Sequence, residues 1–190
     1  MTRIIGGEAG GRRLRTPTGD STRPTSDRVR EALFSALEAL LGSVHGLRFL
    51  DLYAGSGAVG LEAWSRGAGV VTLVEHDRRT ATLIADNARA IGFAQPHVVA
   101  GPVAAVLRRP PAAPYDVVFL DPPYPLSEED LAADLAALGA EEWLAPGALV
   151  VVERSSRSPE PSWPSGFADT RSKRYGETTL WYAESGQARR

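Results

Sequence analysis

The chain of 190 residues fits one domain with at most a small appendage, and its 43% hydrophobic and 7% aromatic content allows a substantial core. It has no cysteine, which excludes disulfides, thiolate metal sites and a cysteine nucleophile; His45, His76 and His97 lack metal-ligand spacing, so no metal is expected. A net charge of −2 argues against a generally basic coat, yet residues 1–30 hold seven arginines against Glu8, Asp20 and Asp27.

Two short extended pieces, Arg3-Ile4-Ile5 and Arg12-Arg13-Leu14-Arg15, flank a glycine-rich turn and predict a hairpin with a loose loop. A helix is predicted to start near Thr25 or Ser26. Val29, Ala32, Leu33, Ala36, Leu37, Leu40 and Leu41 then give it one apolar face, and Gly42 ends it. From residue 48 strands and helices alternate. Strands are expected at Phe49–Tyr53, Val70–Val74, His97–Val99, Asp116–Leu120 and Ala148–Val152. The intervening helices are expected to run to about Arg66, over Asp77–Ile91, near Val103–Arg108 and over Glu128–Leu138. That alternation predicts a parallel, doubly wound sheet. Ser155–Gly166, with Pro159, Pro161 and Pro164, reads as a loop, and Ala168–Tyr175 with Thr178–Tyr182 as a closing hairpin. No signal-peptide pattern and no run of membrane-spanning length occurs, so a soluble cytoplasmic protein is expected.

The strongest chemical signal is Asp121-Pro122-Pro123-Tyr124, which closes the apolar run Tyr115–Leu120. The Asp121 carboxylate and the Pro122 carbonyl can both accept hydrogen bonds from one planar amino group. Pro122 and Pro123 remove two backbone donors and stiffen the turn, and Tyr124 offers a face for stacking. The set suits an exocyclic nitrogen of a nucleobase held for alkylation. A strand-to-loop turn that merely contains Pro-Pro is the bland alternative.

Gly55-Ser56-Gly57-Ala58-Val59-Gly60 matches G-x-G-x-x-G between a strand and a helix, and Glu75 follows Gly55 by twenty residues at the end of the next strand. This is a nucleoside-cofactor pattern, with Glu75 placed for ribose hydroxyls. The glycines alone leave a nicotinamide dinucleotide and S-adenosylmethionine open. Asp51 could face a methionine ammonium, and an amino-acceptor turn on the neighbouring strand favours the methyl donor, since hydride transfer has no use for it.

With Phe49-Leu50-Asp51-Leu52-Tyr53-Ala54-Gly55-Ser56-Gly57 and Asp121-Pro122-Pro123-Tyr124, the chain resembles class I S-adenosylmethionine-dependent methyltransferases. More narrowly it resembles the RsmD family of 16S ribosomal RNA guanine-N2 methyltransferases. Four stretches carry the closer likeness: Arg3–Gly7, Gly11–Leu14, Arg23-Pro24-Thr25 with Asp27–Phe34, and Tyr175–Thr178. The likeness spans residues 3–183. It implies a Rossmann-like α/β fold: a seven-stranded, mostly parallel sheet with helices on both faces, a C-terminal antiparallel hairpin and a small N-terminal β-hairpin extension. The expected division is 1–24 for the basic extension, 25–184 for the methyltransferase domain and 185–190 for a disordered tail.

The resemblance further implies catalysis by Asp121, Pro122, Pro123 and Tyr124. Cofactor contacts are expected from Asp51, Tyr53, Ala54, Gly55, Ser56, Gly57, Glu75, His76, Val103 and Asp121, with S-adenosylhomocysteine as product. RNA contacts are expected from Arg3, Arg12, Arg13, Arg15, Arg23, Thr25 and Arg28. The expected partner is 16S rRNA in the small ribosomal subunit, met by a monomer. One departure stands out. Pro102 occupies the place where such enzymes commonly carry an Asp or Asn for the adenine amino group, a loss of about 1 kcal/mol of binding. Rival readings are an amino-methylase acting on adenine-N6 or a protein amide, an NAD-dependent oxidoreductase, and a non-catalytic RNA-binding factor.

Overall fold

The computed structural model describes residues 2–19, 25–140 and 142–186. Strands β1 (Thr2–Arg3) and β2 (Arg13–Leu14) pair antiparallel as the N-terminal hairpin, two residues each. The hairpin turn is docked rather than loose. Buried Glu62 accepts the Ile5 and Gly6 N–H groups at 2.9 and 3.0 Å, and Ser65 Oγ accepts the Ala9 N–H at 2.8 Å. Ile4 and Leu14 lie in the main core.

Helix α1 (Asp27–Leu41) starts where the Ser26 hydroxyl accepts the Val29 N–H at 3.2 Å, and it buries Val29, Leu33, Phe34 and Leu37. There follow β3 (Arg48–Leu52), α2 (Ala58–Ser65), β4 (Val70–Glu75), α3 (Arg78–Ala90), β5 (His97–Ala100), α4 (Val103–Leu107) and β6 (Tyr115–Leu120). The chain continues through α5 (Glu128–Ala140), β7 (Leu144–Ser155), β8 (Phe167–Tyr175) and β9 (Thr178–Ser185). The seven-stranded sheet has the order β5-β4-β3-β6-β7-β9-β8. The first five strands are parallel neighbours, and β9 runs antiparallel to both β7 and β8. Helices α1, α2 and α3 pack on one face through Leu33, Leu61 and Ile84; α4 and α5 cover the other through Leu107, Leu131 and Leu135.

The expected architecture is present, with differences at three ends. β7 begins at Leu144 and pairs irregularly, because Pro146-Gly147 bends the strand before its register with β6 resumes at Leu149. Pairing with β9 then carries β7 to Ser155. β9 extends to Ser185, which pairs with Phe167 and is buried, so the ordered chain passes the expected start of the tail. Among the described residues, no helix is long and apolar enough to cross a membrane.

Sequence order reverses between β3 and β6, the point in an open parallel sheet where ligands gather beyond the strand ends.

Candidate active site

At that point four neighbouring strands each carry a carboxylate at or close to their carboxyl ends. Asp51 pairs with Leu73 on one side and Phe119 on the other, and Phe119 pairs with Val151. Two residues beyond those partners come Glu75, Asp121 and Glu153. Alternation along a strand therefore sets all four acids on one face. Asp51, Glu75 and Glu153 are buried; Asp121 is half-buried. Burial, with the Glu75 and Glu153 charges adding to it against the Gly60 hydrogen bond, pushes the Asp51 carboxyl up to about 8. Asp121 is raised well above the usual carboxylate range by burial first and then by Glu153. Such a row lacks positive charge, and a cation would be stabilised beside it.

The acids line a cleft of about 540 Å³ that also takes in Thr25, Arg28, Tyr53, Ala54, Gly55 and Ser56. Gly55 donates its N–H to Glu75 Oε2 at 2.9 Å, and Glu75 Oε1 accepts from the Asp77 N–H at 3.1 Å. Asn87 of α3 steadies the loop by donating to the Ser56 carbonyl at 3.1 Å. Tyr53, at φ 60, is held by its hydroxyl donating to Asp134 of α5. A Cβ on Gly55, which lines the cleft, would meet no protein atom within 4 Å, so there is open space beside the loop.

Across from the loop, β6 ends in the Asp-Pro-Pro-Tyr turn. The Thr25 hydroxyl lies 3.2 Å from Asp121 Oδ2 and 2.8 Å from Glu153 Oε2. Among the described residues, no N–H or O–H donates to the Pro122 carbonyl. Tyr124 is 69% exposed, the one large hydrophobic side chain left open among the described residues.

The family described as "Conserved hypothetical protein 95" matches residues 2–184, nearly the entire chain. The chain belongs to this RsmD-like methyltransferase family. Ribosomal RNA small subunit methyltransferase D of Escherichia coli K12 is 37% identical over 177 residues, covering 92% of this chain and 85% of that protein. The protein of the same name from Haemophilus influenzae is 38% identical over 160 residues, covering 83% and 80%. A solved Escherichia coli structure superposes with a TM-score of 0.84 at 35% identity, with 97% of each chain covered.

Against the RsmD-like pattern, the structure gathers Asp51, Tyr53, Ala54, Gly55, Ser56, Glu75, His76, Thr25, Arg28 and the whole Asp121–Tyr124 turn around one cleft. Gly57 sits just behind its wall as the left-handed residue capping α2. Val103 is not in the wall; its side chain is buried under the sheet's other face. Arg3, Arg12, Arg13 and Arg15 are exposed on the hairpin arm and do not line the cleft, and Arg23 lies outside the described residues. Arg3 pairs with Asp27 and Arg15 with Asp86, at 3.4 and 3.3 Å. Arg30, counted in the basic excess of the first thirty residues, is fully buried and holds the Arg3 carbonyl and Asp27, so it is closed to phosphate.

Sequence reading missed Glu153 and Asn87. Glu153 had a usable signal, since it ends the apolar run Ala148–Val152 just as Asp51, Glu75 and Asp121 end theirs. Asn87 had none, because only tertiary packing brings it to Ser56 and to the Arg15 backbone.

Proposed function

We propose that this protein transfers a methyl group from S-adenosylmethionine to the exocyclic N2 amine of a guanine in 16S ribosomal RNA, within the small ribosomal subunit. The reading rests most on one observation: a row of four carboxylates ends beside an Asp-Pro-Pro-Tyr turn at the sheet's reversal point. That acidic row itself offers a dinucleotide pyrophosphate no positive partner, whereas a sulfonium and an ammonium are attracted to it. The open space over Gly55 gives a nucleoside room to approach the backbone. The names of the curated relatives support ribosomal RNA as substrate.

Asp51 serves the methionine ammonium, and Glu75 has unused lone pairs for ribose hydroxyls beside its backbone bonds. Tyr53, Ala54, Ser56, Gly57 and His76 shape the pocket, and the Val103 N–H serves the adenine edge. S-adenosylmethionine supplies an electrophilic methyl on sulfur and departs as the neutral thioether S-adenosylhomocysteine. Asp121 and the Pro122 carbonyl accept the two N–H bonds of the target amine, so its lone pair is turned toward the methyl. The base must leave its stack to enter, and Tyr124 recovers about 1–3 kcal/mol of that cost by stacking. Asp121 then takes the proton that the methylated nitrogen sheds. No metal is needed for these steps.

The exposed arginines of residues 1–24, with Arg28, form the RNA-facing side of a methyltransferase domain over 25–184. The protein works in the cytoplasm as a monomer. The test is transfer of labelled methyl to small subunits lacking the modification, with naked ribosomal RNA and DNA alongside and Asp121→Ala as control. Labelled N2-methylguanosine from subunits alone is the expected product. N6-methyladenine would overturn the guanine assignment, and no transfer to any nucleic acid would overturn the substrate class.

A further inference from the structure

The Thr25 hydroxyl carries one proton yet stands within hydrogen-bond distance of two carboxyl oxygens, Asp121 Oδ2 at 3.2 Å and Glu153 Oε2 at 2.8 Å. It can donate to only one of them. For both contacts to be hydrogen bonds, the other carboxyl must itself carry a proton and donate to Thr25 Oγ1. Thr25 and Glu153 are both buried, so water does not readily substitute for either partner.

We propose that Asp121, Thr25 and Glu153 form a proton-sharing relay, in which Glu153 is the positioning residue that sets the protonation of Asp121 and finally receives the proton from the methylated amine. This deepens the methyl-transfer reading above and rests on it. In the resting site, Asp121 Oδ2–H donates to Thr25 Oγ1, and Thr25 donates to the Glu153 carboxylate. As nitrogen gains the methyl and the carbon–sulfur bond breaks, the N–H proton passes to Asp121 Oδ1. The Oδ2 proton then moves to Thr25, and the Thr25 proton to Glu153. One proton enters the triad, one carboxylate is neutralised, and the amine leaves neutral.

Each part has a physical reason. Two carboxylates this near disfavour each other's ionisation, which favours a proton shared between them. The raised Asp121 carboxyl, with Glu153 the largest charged contributor, agrees with that. Asp51 bears on Asp121 from β3 and raises its carboxyl further, and Glu75 of β4 lines the same cleft. Arg154 bears on Asp121 from β7 but is also engaged by Glu128 of α5. Arg28 of α1, with Tyr175 and Glu177 of the β8–β9 turn, faces the same cleft.

The test uses the full chain with carboxyl-labelled aspartate, followed by NMR across pH without any substrate, and then steady-state kinetics. Asp121 is expected to titrate well above ordinary aspartates, and Glu153→Gln to lower its midpoint by about one pH unit or more. In the kinetics, Glu153→Gln is expected to shift the acidic limb of the kcat profile the same way and lower its plateau. Thr25→Val should cost about tenfold or more in kcat with little change in cofactor KM, and Thr25→Ser should restore it. Should the Asp121 midpoint stay where it is in Glu153→Gln, or Thr25→Val keep full kcat, the relay is wrong. An unmutated protein that transfers no methyl overturns the functional reading instead, while the free-protein titration still decides whether the pair shares a proton.

Discussion

Asp51 Oδ2 accepts the Gly60 N–H at 2.9 Å, fastening the end of β3 to the first turn of α2. The contact leaves no room for a side chain on residue 60. A Cβ there would lie 2.6 Å from Leu73 Cδ2 and 3.2 Å from the Asp51 oxygen. Gly60→Ala should therefore destabilise the fold by about 1–3 kcal/mol, read from denaturant midpoints. Gly55→Ala meets no atom but keeps φ 57, so it should cost about 1–2 kcal/mol of strain and mainly weaken S-adenosylhomocysteine binding.

Asp51 also makes cofactor binding pH-dependent. Its carboxyl is pushed up to about 8 in the free protein, and a neighbouring ammonium favours the anion. Binding below that value must release a proton. Affinity for S-adenosylmethionine should then rise with pH, by up to about tenfold per unit between about pH 6 and 7.5, and Asp51→Asn should flatten the rise. The same group acts oppositely on the free fold. Its folded value lies above the unfolded one, so its contribution to stability is full below about pH 4 and is lost as pH climbs toward 8. Melting temperatures of the parent and Asp51→Asn across that range check the sign.

Tyr124 is open on the cleft rim and supports no core, so its loss should leave the fold intact. Tyr124→Ala is expected to lower methyl transfer by about tenfold or more while cofactor affinity stays within about twofold. Equal loss of both would remove the stacking role.

Pro102 is the N-cap of α4 at φ −62 and ψ 136, with no side-chain bond to the helix. An aspartate fits that extended conformation and can accept an N–H of the first turn. Pro102→Asp should raise stability by about 1 kcal/mol without cofactor, and should tighten cofactor binding by a similar amount if it also reaches the adenine amino group. Stabilisation with unchanged affinity would leave only the capping effect.

Arg13 and Arg28 are exposed, and neither is ion-paired or hydrogen-bonded through its side chain among the described residues, unlike Arg3 and Arg15. Each is available to a phosphate at no cost in broken ion pairs. Changing either to Gln should reduce the slope of log affinity against log salt for the RNA substrate by about 0.7–0.9. An unchanged slope removes that residue from the RNA footprint.

Much of the protein is written locally. Ser26 and Gly42 bound α1 through the chemistry of their own turns. The apolar runs ending in Asp51, Glu75 and Asp121 read as strands because a carboxylate is tolerated where a buried strand meets solvent. The glycine loop and the Asp-Pro-Pro-Tyr turn stand out because φ, missing donors and missing Cβ atoms are properties of single residues.

What the tertiary structure decided is which of these meet. Strand order departs from chain order, so β4, β3, β6 and β7 become neighbours and the four acids near their carboxyl ends form one row. Thr25 stands between partners 96 and 128 positions away along the chain, a contact no local pattern encodes. Whether an arginine faces RNA or the core was equally non-local: Arg30 reads like its neighbours in sequence, yet the docking of β1 on α1 closes over it. Local chemistry names the groups, and the burial and strand neighbours that set their protonation arise only when distant segments pack together.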